Sequence, residues 1–321
     1  MKIGMLFPGY ASQFVGMGKE LYDDSRIMQE YFEEASSVLN MNFVKLCFAS
    51  SDAELARMEN AYPSLFLVSS AIAAYLKQEG IQPEIVAGYN SGEYAAIQAA
   101  GGFSLPDGLY LLAKYQNFYQ EILANLTVSG IQILGLPTAQ VQELCAKATT
   151  DSVMASIAVY DSPVQHTVMG NTQAIEQVRS MALEHEDVEI DDEPIEVGLH
   201  SSLMDPVALN FKVYLEKVDF KDLPIQLVTN ADAKIVTHGD IIKAAVVKQI
   251  HSPVLWYQTL ELFNYCDLII EVGPGTYLTA MAQARYPEKK CVAINKKSDL
   301  EELKKYIELH QQQQPVEQPE V

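Results

Sequence analysis

Short apolar runs that stop at glycine-containing turns alternate with amphipathic stretches over much of the chain. The pattern predicts buried strands over residues 2–7, 83–88 and 267–272, with helices over 93–100 and from Tyr277 onward. This alternation is typical of a parallel sheet that is covered by helices on both faces. We therefore expect an α/β fold whose ligand site lies beyond the carboxyl ends of the strands.

Residues 128–197 follow a different order of apolar segments. Strands are predicted over 131–136, 153–160, 166–170 and 188–197, and helices over 138–148 and 172–185. The order β-α-β-β-α-β is that of a ferredoxin-like unit. We expect a core domain over 1–127 and 198–308, an inserted ferredoxin-like subdomain over 128–197, and a functional cleft between the two. Residues 309–321 are polar and interrupted by proline, so they are predicted to form a disordered tail.

The composition excludes several classes of partner and site. The chain has 22 Lys and Arg against 42 Asp and Glu, and its net charge of −20 disfavours nucleic acid and anionic membranes as main partners. Its cysteines form no CxxC pair, so neither a disulfide framework nor a zinc site is expected. No signal peptide and no apolar run long enough to span a bilayer is visible. We expect a cytoplasmic protein without a bound metal or cofactor.

The most distinctive local feature is a pair of glycines, Gly88 and Gly92, between a predicted strand and a predicted helix. Their spacing matches the nucleophile elbow G-x-S-x-G, in which strand and helix approach closely. Asn90 stands at the central position, and its amide cannot act as a nucleophile because the nitrogen lone pair is delocalised. Asn does tolerate the positive φ that this position commonly requires. Ser91 is expected to start the helix, and the alternative that it acts as the nucleophile stays open.

A second candidate residue is His200, which lies where the chain leaves the predicted subdomain. A single histidine is most often structural. Its position at the junction of two domains makes His200 a candidate general base.

A series of short segments between about residues 3 and 295 carries a further signal. The segments are Phe7-Pro8-Gly9 with Ser12-Gln13 and Gly16-Met17-Gly18, Gly88…Gly92-Glu93-Tyr94-Ala95-Ala96, His200-Ser201, Thr229-Asn230-Ala231-Asp232-Ala233, Gln249…Pro253-Val254…Trp256 and Glu271-Val272-Gly273-Pro274-Gly275. In this order and spacing they resemble the malonyl-CoA:acyl-carrier-protein transacylase family. The resemblance implies a hydrolase-like parallel-sheet domain with a ferredoxin-like insert. It also implies malonyl transfer from CoA to the phosphopantetheine thiol of an acyl-carrier protein, in fatty-acid or polyketide synthesis.

In that family a serine at the elbow attacks the thioester with the help of a histidine. The resemblance places Asn90 at the nucleophile position and His200 at the base, and it assigns the oxyanion hole to the backbone N–H groups of Gln13 and Ser91. Gln116 stands where an arginine usually binds the malonyl carboxylate, so selectivity for a carboxylated acyl group should fall. Four further site positions depart from the family pattern, namely Tyr10, Tyr62, Tyr89 and Asp161.

The three tyrosines are expected to narrow the site, with stacking on a larger acyl group and ordinary core packing as the alternatives. Asp161 would add a negative charge near a negative substrate. A run of acidic residues over 184–193 precedes His200. It would repel CoA phosphates and an acidic carrier, unless it is only a solvated rim.

Three hypotheses for the function follow. The first is a malonyl-CoA:acyl-carrier-protein transacylase in which Ser91 or another route replaces the missing nucleophile. The second is a non-catalytic relative that binds an acyl carrier, a CoA thioester or a synthase partner. The third is a thioester hydrolase in which His200 activates water. Because loss of a nucleophile lowers kcat by about a millionfold, the substitutions favour the second hypothesis.

Overall fold

The computed structural model describes residues 1–313 of the chain. Its strands are β1 (Ile3–Phe7), β2 (Ile85–Gly88), β3 (Val128–Leu134), β4 (Ala155–Ser162), β5 (Gln165–Asn171), β6 (Glu189–Glu193), β7 (Gln226–Val228), β8 (Ile235–Val236), β9 (Leu268–Val272) and β10 (Lys290–Ile294). Its helices are α1 (Lys19–Asp24), α2 (Arg26–Leu39), α3 (Phe43–Ala49), α4 (Asp52–Leu55), α5 (Met58–Gln78), α6 (Gly92–Ala99), α7 (Leu105–Leu123), α8 (Thr138–Ala148), α9 (Thr172–Ala182), α10 (Asp205–Leu215), α11 (Gly239–His251), α12 (Trp256–Glu261), α13 (Tyr277–Arg285) and α14 (Lys297–Gln313).

The first sheet has the order β10-β9-β1-β2-β7-β8. Strands β10, β9, β1, β2 and β7 pair in parallel, and β8 pairs antiparallel with β7. Every residue of β1, β2 and β9 is buried. Helices on both faces shield these strands from water, which explains their continuous apolar runs. The predicted parallel sheet is thereby confirmed.

The second sheet consists of β3 to β6 in the order β4-β5-β3-β6, and its pairs are all antiparallel. Helices α8 and α9 cover one face, where a separate small core forms around Ile131, Ile133 and Val168. Order and connections are those of a ferredoxin-like unit, which confirms the predicted fold class.

The edge strand β4 joins this sheet to the core domain. The N–H of Tyr160 donates to the carbonyl of Val254 over 2.9 Å, and the N–H of Val254 donates to the carbonyl of Ala158 over 2.8 Å. The segment of the core domain just before α12 is thereby paired with the ferredoxin-like unit. A groove between the two bodies follows from this arrangement, because only part of β4 has a partner on its outer edge.

Two features of the helices bear on other expectations. None of the helices within residues 1–313 combines the length and the apolar character needed to cross a membrane. Helix α14 continues to Gln313, five residues past the boundary predicted at 308, and its first half buries Leu300 and Leu303 in the core. Residues 314–321 of the predicted tail lie outside the described residues.

Candidate functional site

The turn between β2 and α6 is built on two glycines. A Cβ on Gly88 would lie 2.0 Å from the carbonyl carbon of Gly92, and a Cβ on Gly92 would lie 2.2 Å from the carbonyl oxygen of Phe7. Both distances are far below any allowed contact, so only glycine fits at either position. Asn90 stands at the apex with a φ of 54°, in the left-handed region expected for this residue.

Asn90 is held by hydrogen bonds on all sides. Its N–H donates to Oδ1 of Asn230 over 3.2 Å, and its carbonyl accepts from Nε2 of Gln249 over 2.6 Å. Its side-chain Nδ2 donates to the carbonyl oxygen of Val197. The side chain that replaces the family's serine is therefore directed at the segment leading out of the ferredoxin-like unit.

The imidazole of His200 has one ring nitrogen engaged. Its Nδ1 lies 2.8 Å from the carbonyl oxygen of Gln249, and since a carbonyl can only accept, Nδ1 carries the proton. Nε2 is buried and has no hydrogen-bond partner within residues 1–313. Burial lowers the pKa of His200, so the ring is neutral at pH 7 and presents a lone pair on Nε2.

Ser91 starts helix α6, as predicted, and its hydroxyl contacts the turn after β1. The N–H of Tyr10 donates to Oγ of Ser91 over 3.1 Å. This close approach depends on Gly9, where a Cβ would lie 2.3 Å from the carbonyl oxygen of Tyr89. Asn90, and not Ser91, is the elbow residue whose side chain contacts the segment that leads to His200.

The first turn contacts the elbow through Tyr10, whose N–H donates to Oγ of Ser91. The assignment of the Gln13 N–H to an oxyanion hole stays a prediction. Gln13 lies three residues further along, where its Oε1 accepts from the N–H of Ala11 over 2.9 Å. The turn closed by the N–H of Ser12 on the carbonyl of Gly9 bends the chain so that residue 10 meets the elbow.

Two tyrosines and Asn90 bind three consecutive carbonyl groups. We call residues 195–197 the junction segment. Tyr119 donates its hydroxyl to the carbonyl of residue 195, Tyr62 donates to that of residue 196 over 2.6 Å, and Asn90 binds that of residue 197. The junction segment is therefore fixed on the core domain by side chains from α5, α7 and the elbow.

Tyr10 and Tyr62 belong to an aromatic cluster. Their ring centroids are 6.0 Å apart, and Tyr62 stacks on Tyr115 at 6.1 Å with an interplanar angle of 8°. The hydroxyl of Tyr10 donates to the carbonyl of Ala56 over 2.8 Å. The described contacts of both rings are thus internal to the protein, and the rings occupy space beside the elbow.

Tyr89 and Asp161 join the elbow to the ferredoxin-like unit. The hydroxyl of Tyr89 donates to Oδ1 of Asp161 over 2.8 Å, and the ring lies edge-on to Trp256 at 5.1 Å. Asp161 is only 1% exposed, and burial raises the pKa of its carboxyl to about 7. The carboxyl of Asp161 therefore lies inside the interface between the elbow and the ferredoxin-like unit, and the expectation that it adds a negative charge near the substrate stays a prediction.

Gln116 and Glu93 complete the surroundings of the elbow. Gln116 is half-buried on α7, and its Oε1 has no hydrogen-bond partner in the described part of the chain. Glu93 is buried behind the elbow, where its Oε1 accepts from the N–H of Asn230 over 3.1 Å. Burial raises the pKa of the Glu93 carboxyl to about 7.

Sequence reasoning gave no role to Glu93, Asn230 or Gln249, although all three lie in the segments that carry the family resemblance. Together they fix the backbone of Asn90, and Gln249 also orients His200. One signal was present in the sequence: Glu93 is a single acidic residue at the start of the apolar stretch that forms α6.

The family profile named acyl transferase domain matches residues 5–314. The chain belongs to the acyl transferase family. A malonyl CoA-acyl carrier protein transacylase of Bacillus subtilis is 31% identical over 304 residues, which cover 94% of this chain and 95% of that protein. A transacylase of the same name from Escherichia coli is 29% identical over 300 residues, covering 92% of this chain and 97% of the relative.

Solved structures of acyl transferases share the fold. FabD from Acinetobacter baumannii superposes with a TM-score of 0.90 at 30% identity, covering 96% of this chain and 99% of that one. A malonyl-transacylase solved in complex with a type II polyketide acyl-carrier protein superposes with a TM-score of 0.88 at 27% identity, covering 94% and 98%.

Proposed function

We propose that this acyl transferase serves fatty-acid or polyketide synthesis as a non-catalytic protein that binds acyl-carrier or CoA thioesters. The observation that carries the proposal is the side chain of Asn90. It occupies the nucleophile position and donates its amide to the carbonyl of Val197. An amide in this position cannot form the acyl-enzyme intermediate on which transacylation depends.

The malonyl specificity of the family is also unsupported by the residues present. Gln116 can offer neutral hydrogen bonds but no charge to a malonyl carboxylate. Ser91, the nearest hydroxyl to the apex in sequence, accepts a hydrogen bond from Tyr10, and no described contact links it to His200 within residues 1–313. The thioester-binding role is therefore favoured over malonyl transfer.

One observation favours thioester hydrolysis as a second candidate function. The lone pair on Nε2 of His200 can take a proton from water while the water oxygen adds to the thioester carbonyl. The carbon–sulfur bond then breaks and the proton passes to the departing thiolate, which gives a carboxylic acid and a free thiol. The burial that keeps His200 neutral supports this role.

Intact mass spectrometry after brief incubation with malonyl-CoA and, separately, acetyl-CoA tests the proposal. We expect no acyl adduct and no release of free CoA. Binding of acetyl-pantetheine should nevertheless be measurable by calorimetry.

The variants Ser91→Ala and His200→Ala separate the other outcomes. An adduct that disappears in Ser91→Ala would establish Ser91 as a nucleophile and overturn the non-catalytic role. Release of CoA without an adduct, lost in His200→Ala, would establish the hydrolase instead. Absence of adduct, hydrolysis and binding together would exclude both candidate functions.

A further inference from the structure

A groove of about 390 Å³ runs between the ferredoxin-like unit and the core domain. One wall is formed by α8 and the first half of β4. The other wall is formed by residues 200–202 and by the segment that follows α11. His200 is among the residues that line the groove, so the groove borders on the candidate base.

The exposed lining of the groove is more apolar than polar. Ala155 and Ile157 line it from β4, Met154 lines it just before that strand, and Ala146 lines it from α8. Among the described residues that line it, none is Lys or Arg. An anionic acyl group such as malonyl would find no lysine or arginine side chain to pair with in the lining, whereas an uncharged aliphatic chain would bury apolar surface.

Two hydroxyl groups in the groove are unsatisfied. Ser201 is only 5% exposed, and its Oγ has no hydrogen-bond partner among residues 1–313. The Oγ of Ser156, on β4, is also buried and without a partner in that range. Because a buried hydroxyl without a partner costs free energy, a ligand that brings a hydroxyl or keto group to this depth would be favoured.

We infer that this groove binds the acyl chain of a thioester whose carbonyl lies at His200, and that the chain is longer than malonyl or acetyl, uncharged and oxygenated. The inference rests on the proposed binding of thioesters and adds the class of acyl group. A volume of about 390 Å³ exceeds what a two- or three-carbon acyl group fills. An eight-carbon chain needs roughly 220 Å³, at about 27 Å³ for each methylene group in a packed interior, so it fits with space left for an added hydroxyl or keto group.

Calorimetry with octanoyl-pantetheine and acetyl-pantetheine tests the inference without the charges of CoA. We expect the octanoyl compound to bind at least tenfold more tightly. Ala146→Phe places a ring in the groove from an exposed helix position. It should weaken the binding of octanoyl-pantetheine at least tenfold and that of acetyl-pantetheine less than twofold. Ala139→Phe, at an exposed position of the same helix that does not line the groove, is the matched control and should change neither affinity.

A second measurement tests the role of the hydroxyl groups. We expect 3-hydroxyoctanoyl-pantetheine to bind more tightly than octanoyl-pantetheine, and Ser156→Ala to remove most of that difference.

The outcomes distinguish this inference from the proposed function. If acetyl- and octanoyl-pantetheine bind equally well, or if Ala146→Phe weakens both alike, the assignment of the groove is wrong while thioester binding stands. If neither compound binds, the proposed function fails as well. A preference for octanoyl-pantetheine supports both the inference and the proposed function if Ala146→Phe abolishes it and Ala139→Phe preserves it.

Discussion

Asn90 keeps the backbone conformation expected at the apex of a nucleophile elbow, but its side chain is an amide instead of a hydroxyl. Asparagine populates the left-handed region at lower cost than most residues, so the elbow keeps its shape at a φ of 54°. The side-chain amide also donates to the carbonyl of Val197, so the apex of the elbow is bonded to the junction segment. A serine at this position would restore the hydroxyl but could not donate in the same place, since its side chain is shorter.

Asn90→Ser alone should therefore not restore full malonyl transfer. The malonyl carboxylate would still have no positively charged partner, because Gln116 is neutral. A hydrogen bond to a charged group contributes about 1.5–3 kcal/mol. We expect the double variant Asn90→Ser with Gln116→Arg to have a kcat/KM roughly tenfold to a hundredfold higher than that of Asn90→Ser alone, because an energy of this size corresponds to a rate change of that order. Transfer of radiolabelled malonyl groups to a holo acyl-carrier protein measures this.

Gln116→Arg alone is the control, and it should remain inactive because it lacks a nucleophile. Full recovery of malonyl transfer in Asn90→Ser by itself would refute the role given to Gln116.

At the scale of elements, the junction segment is the point where the ferredoxin-like unit returns to the core domain. Three side chains from different elements bind its consecutive carbonyl groups, and two of them, Asn90 and Tyr62, occupy positions where the family pattern has other residues. Residues 195–197 form a single 3₁₀ turn, in which the N–H of Gly198 donates to the carbonyl of residue 195 over 3.1 Å, and the three side chains add further partners for its carbonyl groups. The departures from the family pattern are thus connected in space.

Tyr62→Phe should weaken this attachment. It removes the donor to the carbonyl of residue 196 and leaves the ring packed, so we expect a loss of about 1 kcal/mol in the free energy of unfolding. Urea denaturation measures the change. Tyr22→Phe is the control, because the ring of Tyr22 packs on Phe32 at 5.0 Å far from the junction segment, and its effect should stay within about 0.5 kcal/mol. Equal stability of Tyr62→Phe and the wild type would contradict the attachment.

The elements themselves were predictable to a large extent. Apolar runs bounded by glycine and proline gave β1, β2 and β9 to within two residues, because both faces of these strands are buried. The contacts between distant segments were not predictable. The bond between Tyr89 and Asp161 joins residues 72 positions apart, and no local pattern distinguishes a buried aspartate from an exposed one. Likewise, no local pattern in the sequence indicates that the bend of the first turn brings the N–H of Tyr10 to Oγ of Ser91.

At the scale of the whole molecule, buried carboxyl groups link stability to pH. Glu93 has a pKa of about 7 in the folded protein, against its ordinary value of 4.5. Between these values the folded state keeps a proton that the unfolded chain loses. The contribution of Glu93 to the free energy of unfolding is therefore fully present below pH 4.5 and is lost as the pH rises through about 7. Asp161 acts in the same direction, since its pKa is also raised to about 7.

Glu93→Gln should reduce the decline in stability between pH 5 and pH 7.5. Glutamine keeps an acceptor for the N–H of Asn230 but cannot ionise, so the decline should shrink by about 2–3 kcal/mol, in keeping with about 1.4 kcal/mol for each pH unit of difference in pKa. Urea denaturation at several pH values measures it. Glu34→Gln, an exposed change of the same kind on α2, should leave the decline unaltered. If the free energy of unfolding of Glu93→Gln and of the wild type declined equally with pH, the raised pKa of Glu93 would be disproved as the cause.

The attachment of the junction segment also constrains how the site can be re-engineered. A serine at position 90 removes the donor to the carbonyl of residue 197, and a change of Tyr62 removes the donor to that of residue 196. Neither change places a charge at position 116. Substitutions that alter the chemistry of this site therefore also alter the attachment of the ferredoxin-like unit, so each needs a compensating contact at the junction segment.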